Sequence, residues 1–85
     1  MMDINEILVK LQEVVGYVLG DDDIVLTEAT VLQDLDGWSS LAQVQVLTAV
    51  EHEFGMRFSL KDIISIQTVG DIIRAISNIA GESEG

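Results

Sequence analysis

Two serines, Ser39 and Ser40, lie side by side between a Gly37-Trp38 turn and an apolar run that begins at Leu41. A hydroxyl at such a place can do one of two things. It can cap a helix, its oxygen accepting from an orphan backbone N–H. It can also be esterified and carry a phosphorylated group. Ser40 with Gln43 three residues on makes a capping box. Ser39 serves equally well as the cap, with Ser40 in the first turn, so position alone leaves both roles open. The surroundings say more. A helix N-terminus offers free N–H groups and the positive end of the dipole, which would stabilise a phosphodiester on a serine there. A long loop leads in, Leu41 stays on an exposed face beside the serines, and Asp36 contributes an acidic flank.

Other chemistry finds little support. There is one histidine, His52, which reads as a solvent-facing helix residue. The stretch Gly37-Trp-Ser-Ser-Leu41 ends in Leu where a nucleophile elbow needs Gly, and the chain is short for that fold. No glycine-rich phosphate loop is present, and the absence of Cys excludes disulfides, thiolate metal sites and cysteine nucleophiles. A calcium loop counted from Asp34 needs a bidentate Glu where Gln45 stands, and one counted from Asp21 meets Leu32. Asp21 to Asp23 therefore read as a solvated acidic loop, and no metal site is expected.

The elements that must position the serines follow from apolar spacing. Ile4, Ile7, Leu8, Leu11, Val14, Val15 and Val18 mark an amphipathic helix, started by Asp3 or Asn5 and stopped by Gly20. Asp21 to Trp38 reads as a long loop tacked onto the core through Ile24, Leu26, Val31, Leu32 and Leu35, with one short turn. A strand at Ile24 to Leu26 would have no obvious partner. A second helix runs from about Ser40 to Phe54 and stops at Gly55. Val44, Val46, Leu47, Val50 and Phe54 are assigned to its buried face. Leu41, Gln45, Thr48 and His52 are assigned to the opposite face, flanked by Ala42 and Ala49, with Glu51 and Glu53 at the margins. Ser59 to Asp62 is a capping box for a short helix through Ile64. Thr68 to Asp71 is a second box, opening a last helix with Ile72, Ile73, Ile76 and Ile79 at core spacing. The expected fold is all-α: a small bundle of three main helices and one short helix, with a long loop between the first two. Residues 1–80 form its single domain, and 81–85 form a disordered tail.

Bulk charge narrows the partners. The net charge is −11 over 85 residues, with nine acids and one base (Lys10) in the first 40. Such a surface repels nucleic acid and anionic lipid. No apolar run reaches the roughly 18 residues of a membrane span. The opening residues, Met1 to Glu6, lack the basic region of a signal peptide, so a cytoplasmic protein is expected. Nothing in the sequence points to an obligate dimer, and a monomer is expected.

With these features in place, the sequence resembles an acyl carrier protein from about Ile4 to Ile79. The resemblance is carried by Asp34-Leu-Asp-Gly-Trp-Ser-Ser-Leu41, by Val44, Leu47, Val50, Glu51, Glu53, Phe54 and Gly55, and by Ile66-Gln-Thr-Val-Gly-Asp71. The family's signature is Asp-Ser-Leu at the start of the second helix. The resemblance implies that Ser40, which precedes Leu41, carries a 4′-phosphopantetheine arm donated from coenzyme A by a phosphopantetheinyl transferase. The arm's thiol would hold acyl groups as thioesters for synthesis of a fatty acid, another lipid or a polyketide. The protein would present them to ligase, ketosynthase or acyltransferase enzymes without being an enzyme itself. Asp36, Trp38, Ser39, Leu41, Gln45, Thr48, Glu51 and His52 are the candidate partner-binding residues.

Two departures shape that reading. Ser39 stands where the family usually has Asp, and Leu41, Gln45, Thr48 and His52 bring no carboxylate to a face that family members usually line with acids. Partners are expected to dock with less charge steering, with Trp38 either an anchor or packing the loop against the second helix. A specialised free-standing carrier is the reading. The alternative is an interaction module of the same fold, without a prosthetic group, in which the serines only cap.

Overall fold

The computed structural model describes residues 3–84, with side chains placed for residues 3–79. The chain folds as α1 (Ile4–Leu19), a 3-10 turn (Leu32–Asp34), α2 (Ser40–Phe54), α3 (Leu60–Ser65) and α4 (Val69–Glu84). Among the described residues there is no strand, only an isolated antiparallel bridge between Val31 and Thr68. The expected all-α bundle, its helix order and its long first loop are all present. The last helix runs to Glu84, through residues assigned above to a tail, and Gly85 lies outside the described residues.

Helix ends fall where local chemistry puts them. The Asp3 carboxylate accepts from the Glu6 N–H at 2.9 Å and caps α1, leaving the Asn5 alternative unused. Gly20 ends α1 in the left-handed region, at φ 68°, where a side chain would be strained. Ser59 and Asp62 exchange side-chain and backbone bonds at 3.0 and 3.1 Å, the expected box on α3. Thr68 and Asp71 do the same for α4 at 3.0 and 3.1 Å.

The core is aliphatic. Ile7, Leu11 and Val15 of α1 are buried in one cluster with Val46, Leu47 and Val50 of α2 and with Val69, Ile72, Ile73 and Ile76 of α4. Leu26 and Leu32 bring the long loop into the same cluster. No strand forms at Ile24 to Leu26; the Leu26 N–H donates instead to the Gln12 side chain of α1 at 2.9 Å. Val31 stays exposed and contributes its backbone rather than its side chain. Backbone bonds then tie the loop to the start of α4: Leu32 N–H to Gln67 O, Val69 N–H to Thr30 O and Gly70 N–H to Glu28 O, at 3.0, 3.0 and 2.9 Å.

The reading of α2 is corrected in two places. Val44 is exposed and Ala42 is buried. Two residues of α-helix turn the direction by about 200°, so Val44 lies nearly opposite Val46. Ala42 stands one turn before Val46 and shares its face.

Acid sensitivity follows from the caps. Asp71 is held below the ordinary aspartate range, first by the Gln67 N–H, then by the Thr68 N–H, with Arg74 adding to both. Asp62 is lowered chiefly by its bond to the Ser59 backbone. A depressed folded-state pKa gives stability that is full above the unfolded value of about 4 and is lost as pH falls through the folded value. Asp71→Asn is therefore expected to lower the urea midpoint at neutral pH. The gap to the unsubstituted chain narrows as pH falls through the lowered folded-state value and closes once both lack the charge. Urea titrations from neutral to strongly acidic pH check this; a constant gap would show that Asp71 acts by shape alone.

Candidate functional site

Gly37, at φ 84°, turns the end of the long loop toward α2, a backbone conformation that L side chains rarely adopt. The Trp38 N–H donates to Leu35 O at 3.1 Å, and the indole is half-buried against the core. Trp38 thus packs on the core at the point where the chain enters α2. Ser39 follows in extended backbone, and its Oγ accepts from the Ala42 N–H at 3.1 Å. The Ser39 carbonyl accepts from the Gln43 N–H at 2.9 Å.

Capping is thus done by Ser39, and Ser40 is the first residue of α2. The Ser40 side chain is exposed and makes no hydrogen bond to the described residues. With the Ala42 and Gln43 N–H groups taken by Ser39, the Ser40 and Leu41 N–H groups remain without an intrahelical acceptor. An anion on the Ser40 oxygen would lie at the positive end of the helix dipole. The division of labour between the serines could not be read from spacing, because either frame caps the helix.

Of the other candidates, Asp36, Leu41, Gln45, Thr48 and His52 are exposed. Leu41, Gln45, Thr48 and His52 share the outer face of α2, as expected. Val44 joins them between Leu41 and Thr48; sequence reading missed it because a valine in an apolar run looks like core. The spacing of three from Leu41 and four to Thr48 was the signal that could have placed it. Glu51 differs. It is half-buried, and its carboxylate accepts from the Phe58 N–H at 2.8 Å, so it anchors the segment after α2.

Among the described residues no three or more His, Cys, Asp and Glu side chains are placed to hold a metal ion. Asp21 turns its carboxylate to the Asp23 N–H at 3.0 Å. No helix among them is long and apolar enough to cross a membrane.

Comparison with known proteins covers nearly the whole chain. A family model described as a phosphopantetheine attachment site matches residues 4–76. The chain is similar to the acyl carrier protein of Thermotoga maritima, 35% identical over 77 residues, covering 91% of this chain and 95% of that protein. It is similar to the acyl carrier protein of Acidothermus cellulolyticus, 36% identical over 75 residues, covering 87% and 88%. In structure it resembles the holo acyl carrier protein of Geobacter metallireducens, with a TM-score of 0.81 at 27% identity over 91% of this chain and 88% of that one.

Proposed function

The chain belongs to the acyl carrier protein family, and from that premise we propose that it carries acyl groups as thioesters on a 4′-phosphopantetheine arm attached to Ser40. The single observation that supports Ser40 is the separation of duties at the start of α2. Ser39 Oγ holds the Ala42 N–H, which leaves the neighbouring hydroxyl exposed and uncommitted.

The residues fit the arm. Attachment forms a bond from Ser40 Oγ to the phosphorus next to the pantetheine half of coenzyme A. The bond to the adenosine bisphosphate half breaks, and the serine proton passes to the transferase. The resulting phosphodiester is anionic and sits at the positive end of α2. When bound, the arm supplies the thiol; the protein supplies attachment, orientation and a surface for enzymes to read. The role is carrying rather than catalysis. The partners are a phosphopantetheinyl transferase and ligase, ketosynthase or acyltransferase enzymes that load and use the arm. The setting is a cytoplasmic monomer, with fatty acid, other lipid or polyketide synthesis as the destination.

Intact mass before and after incubation with coenzyme A and a broad-specificity transferase tests this. The expected result is a gain of one phosphopantetheine group, mapped to Ser40 by fragmentation. A folded chain that gains nothing, or gains it elsewhere, would overturn the assignment. It would favour the alternative of an interaction module whose serines only cap.

A further inference from the structure

α1 buries one side in the core and leaves the other uncovered by the described residues. At about 100° per residue, Glu6, Val9, Lys10, Glu13 and Tyr17 fall within about 100° of arc, on the far side from the buried Ile7, Leu11 and Val15. Val9 is 58% exposed. Tyr17 is 88% exposed, more than any other large apolar side chain among the described residues. The Glu6 and Glu13 carboxylates bond to no described residue. Lys10 stands on the same face but is already taken, its ammonium bound to Glu53 of α2 at 2.9 Å. Two grooves meet on this face and share Glu13. One, of about 380 Å³, lies among Glu6, Val9 and Glu13. The other, of about 350 Å³, lies between Tyr17 and the first acids of the long loop, Asp21 and Asp22.

We propose that this face of α1 docks an arginine-bearing helix of a partner protein, with one guanidinium stacked on Tyr17 and paired with Glu13 and a second paired with Glu6. Charge selects the occupant. A second copy of the chain would bring its own net charge of −11 against a surface of the same sign. A basic helix instead meets carboxylates that no internal group already holds. Arginine fits better than lysine. Tyr17 and Glu13 lie one turn apart, so a single planar guanidinium can lie on the ring while its N–H fork reaches the carboxylate. Glu6 lies two turns before Glu13 on the same side, which sets the spacing of the second arginine. Val9 stands between the two acids and gives the partner helix an apolar contact. None of these four residues belongs to α2 or to the Ser40 site, so the surface stands whether or not Ser40 carries an arm.

The test follows the amide spectrum of the isotope-labelled chain at about 100 mM NaCl, where long-range attraction is largely screened. The probe is an alanine-rich helical peptide with arginines two turns apart, the spacing of Glu6 and Glu13. Saturable shifts are expected at Glu6, Val9, Glu13 and Tyr17. Lysines in place of the arginines should raise Kd about threefold, since an ammonium has no planar fork. Tyr17→Ser should raise it about fivefold through loss of the stacked ring. That side chain is exposed, so the fold is kept, which a spectrum unchanged outside α1 confirms. Glu6→Gln/Glu13→Gln should raise Kd about fivefold or more. Glu28→Gln/Asp34→Asn removes the same charge from exposed positions on the long loop and should change Kd less than about twofold. Shifts centred on another face, or no saturable shift, overturn the proposal. So does an equal loss in the two double variants, which would reduce the binding to net charge, or a Tyr17→Ser chain that binds as tightly as the unsubstituted one.

Discussion

Ser40→Ala is expected to abolish arm attachment completely and to leave the fold as stable as before, while Ser39→Ala is expected to do the reverse. The two hydroxyls are one residue apart and chemically alike, so their difference is entirely one of placement. Ser40 Oγ is exposed and bonded to no described residue, and removing it costs the folded chain no interaction. Alanine is also the best helix former at a first-turn position. Ser39 Oγ satisfies the Ala42 N–H at 3.1 Å. Its loss should destabilise by about 1 kcal/mol, the usual value of a serine N-cap. For a domain of this size that lowers the melting temperature by about 4–8 °C. The nucleophile is untouched in that variant, so the arm should still go on. Intact mass reads the first property and urea or thermal unfolding the second. A Ser39→Ala chain that refuses the arm while folded would show that Ser39 also takes part in recognition. A Ser40→Ala chain that still gains mass would move the attachment elsewhere.

That contrast also marks how far the sequence carries. Caps are local devices, and they were legible because a few residue types suffice: Asp3, Gly20, Ser59 with Asp62, and Thr68 with Asp71 all act where their types and spacing place them. What could not be read was which of two adjacent serines caps, since both frames satisfy the same N–H groups. The outer face of α2 was legible at Leu41, Gln45, Thr48 and His52 and misread at Val44, where hydrophobicity outweighed helical angle. A lone exposed valine costs the free chain little, so nothing in its type signals that it is outside. The engagement of Glu51 and Glu53 was hidden for another reason. Phe58 and Lys10 lie seven and 43 residues away, and no local pattern reports such pairings.

The tether between the long loop and α4 is of that hidden kind, and it carries the second large effect. Gly70→Ala is expected to destabilise the chain by about 1–2 kcal/mol and to loosen residues 28–32 selectively. A Cβ at Gly70 would come within 2.9 Å of the Glu28 carbonyl oxygen, a distance real Cβ atoms do not adopt. The obstacle is backbone, and the same oxygen accepts the Gly70 N–H at 2.9 Å, so relief requires the loop to move off its hydrogen bond. Overpacking of this sort costs about 1–3 kcal/mol. Because the obstacle is backbone, the cost falls in the upper part of that range, about 2–3 kcal/mol; alanine's better helix propensity returns about 1 kcal/mol, which leaves the net loss stated. The neighbouring bonds from Val69 N–H to Thr30 O and from Leu32 N–H to Gln67 O share the same approach and should weaken with it. Amide exchange of Leu32, Val69 and Gly70's replacement should therefore accelerate, while exchange at Val46 and Val50, deep in α2, follows global stability alone. Because the Ser39 cap is independent of this tether, arm attachment at Ser40 should persist. Unchanged stability in Gly70→Ala would mean that the loop gives way freely, and that residues 28–32 do not fix the approach to α2. A loss spread evenly over all amides would mean that the loop and bundle unfold as one unit, with the tether part of the core rather than a hinge at its edge.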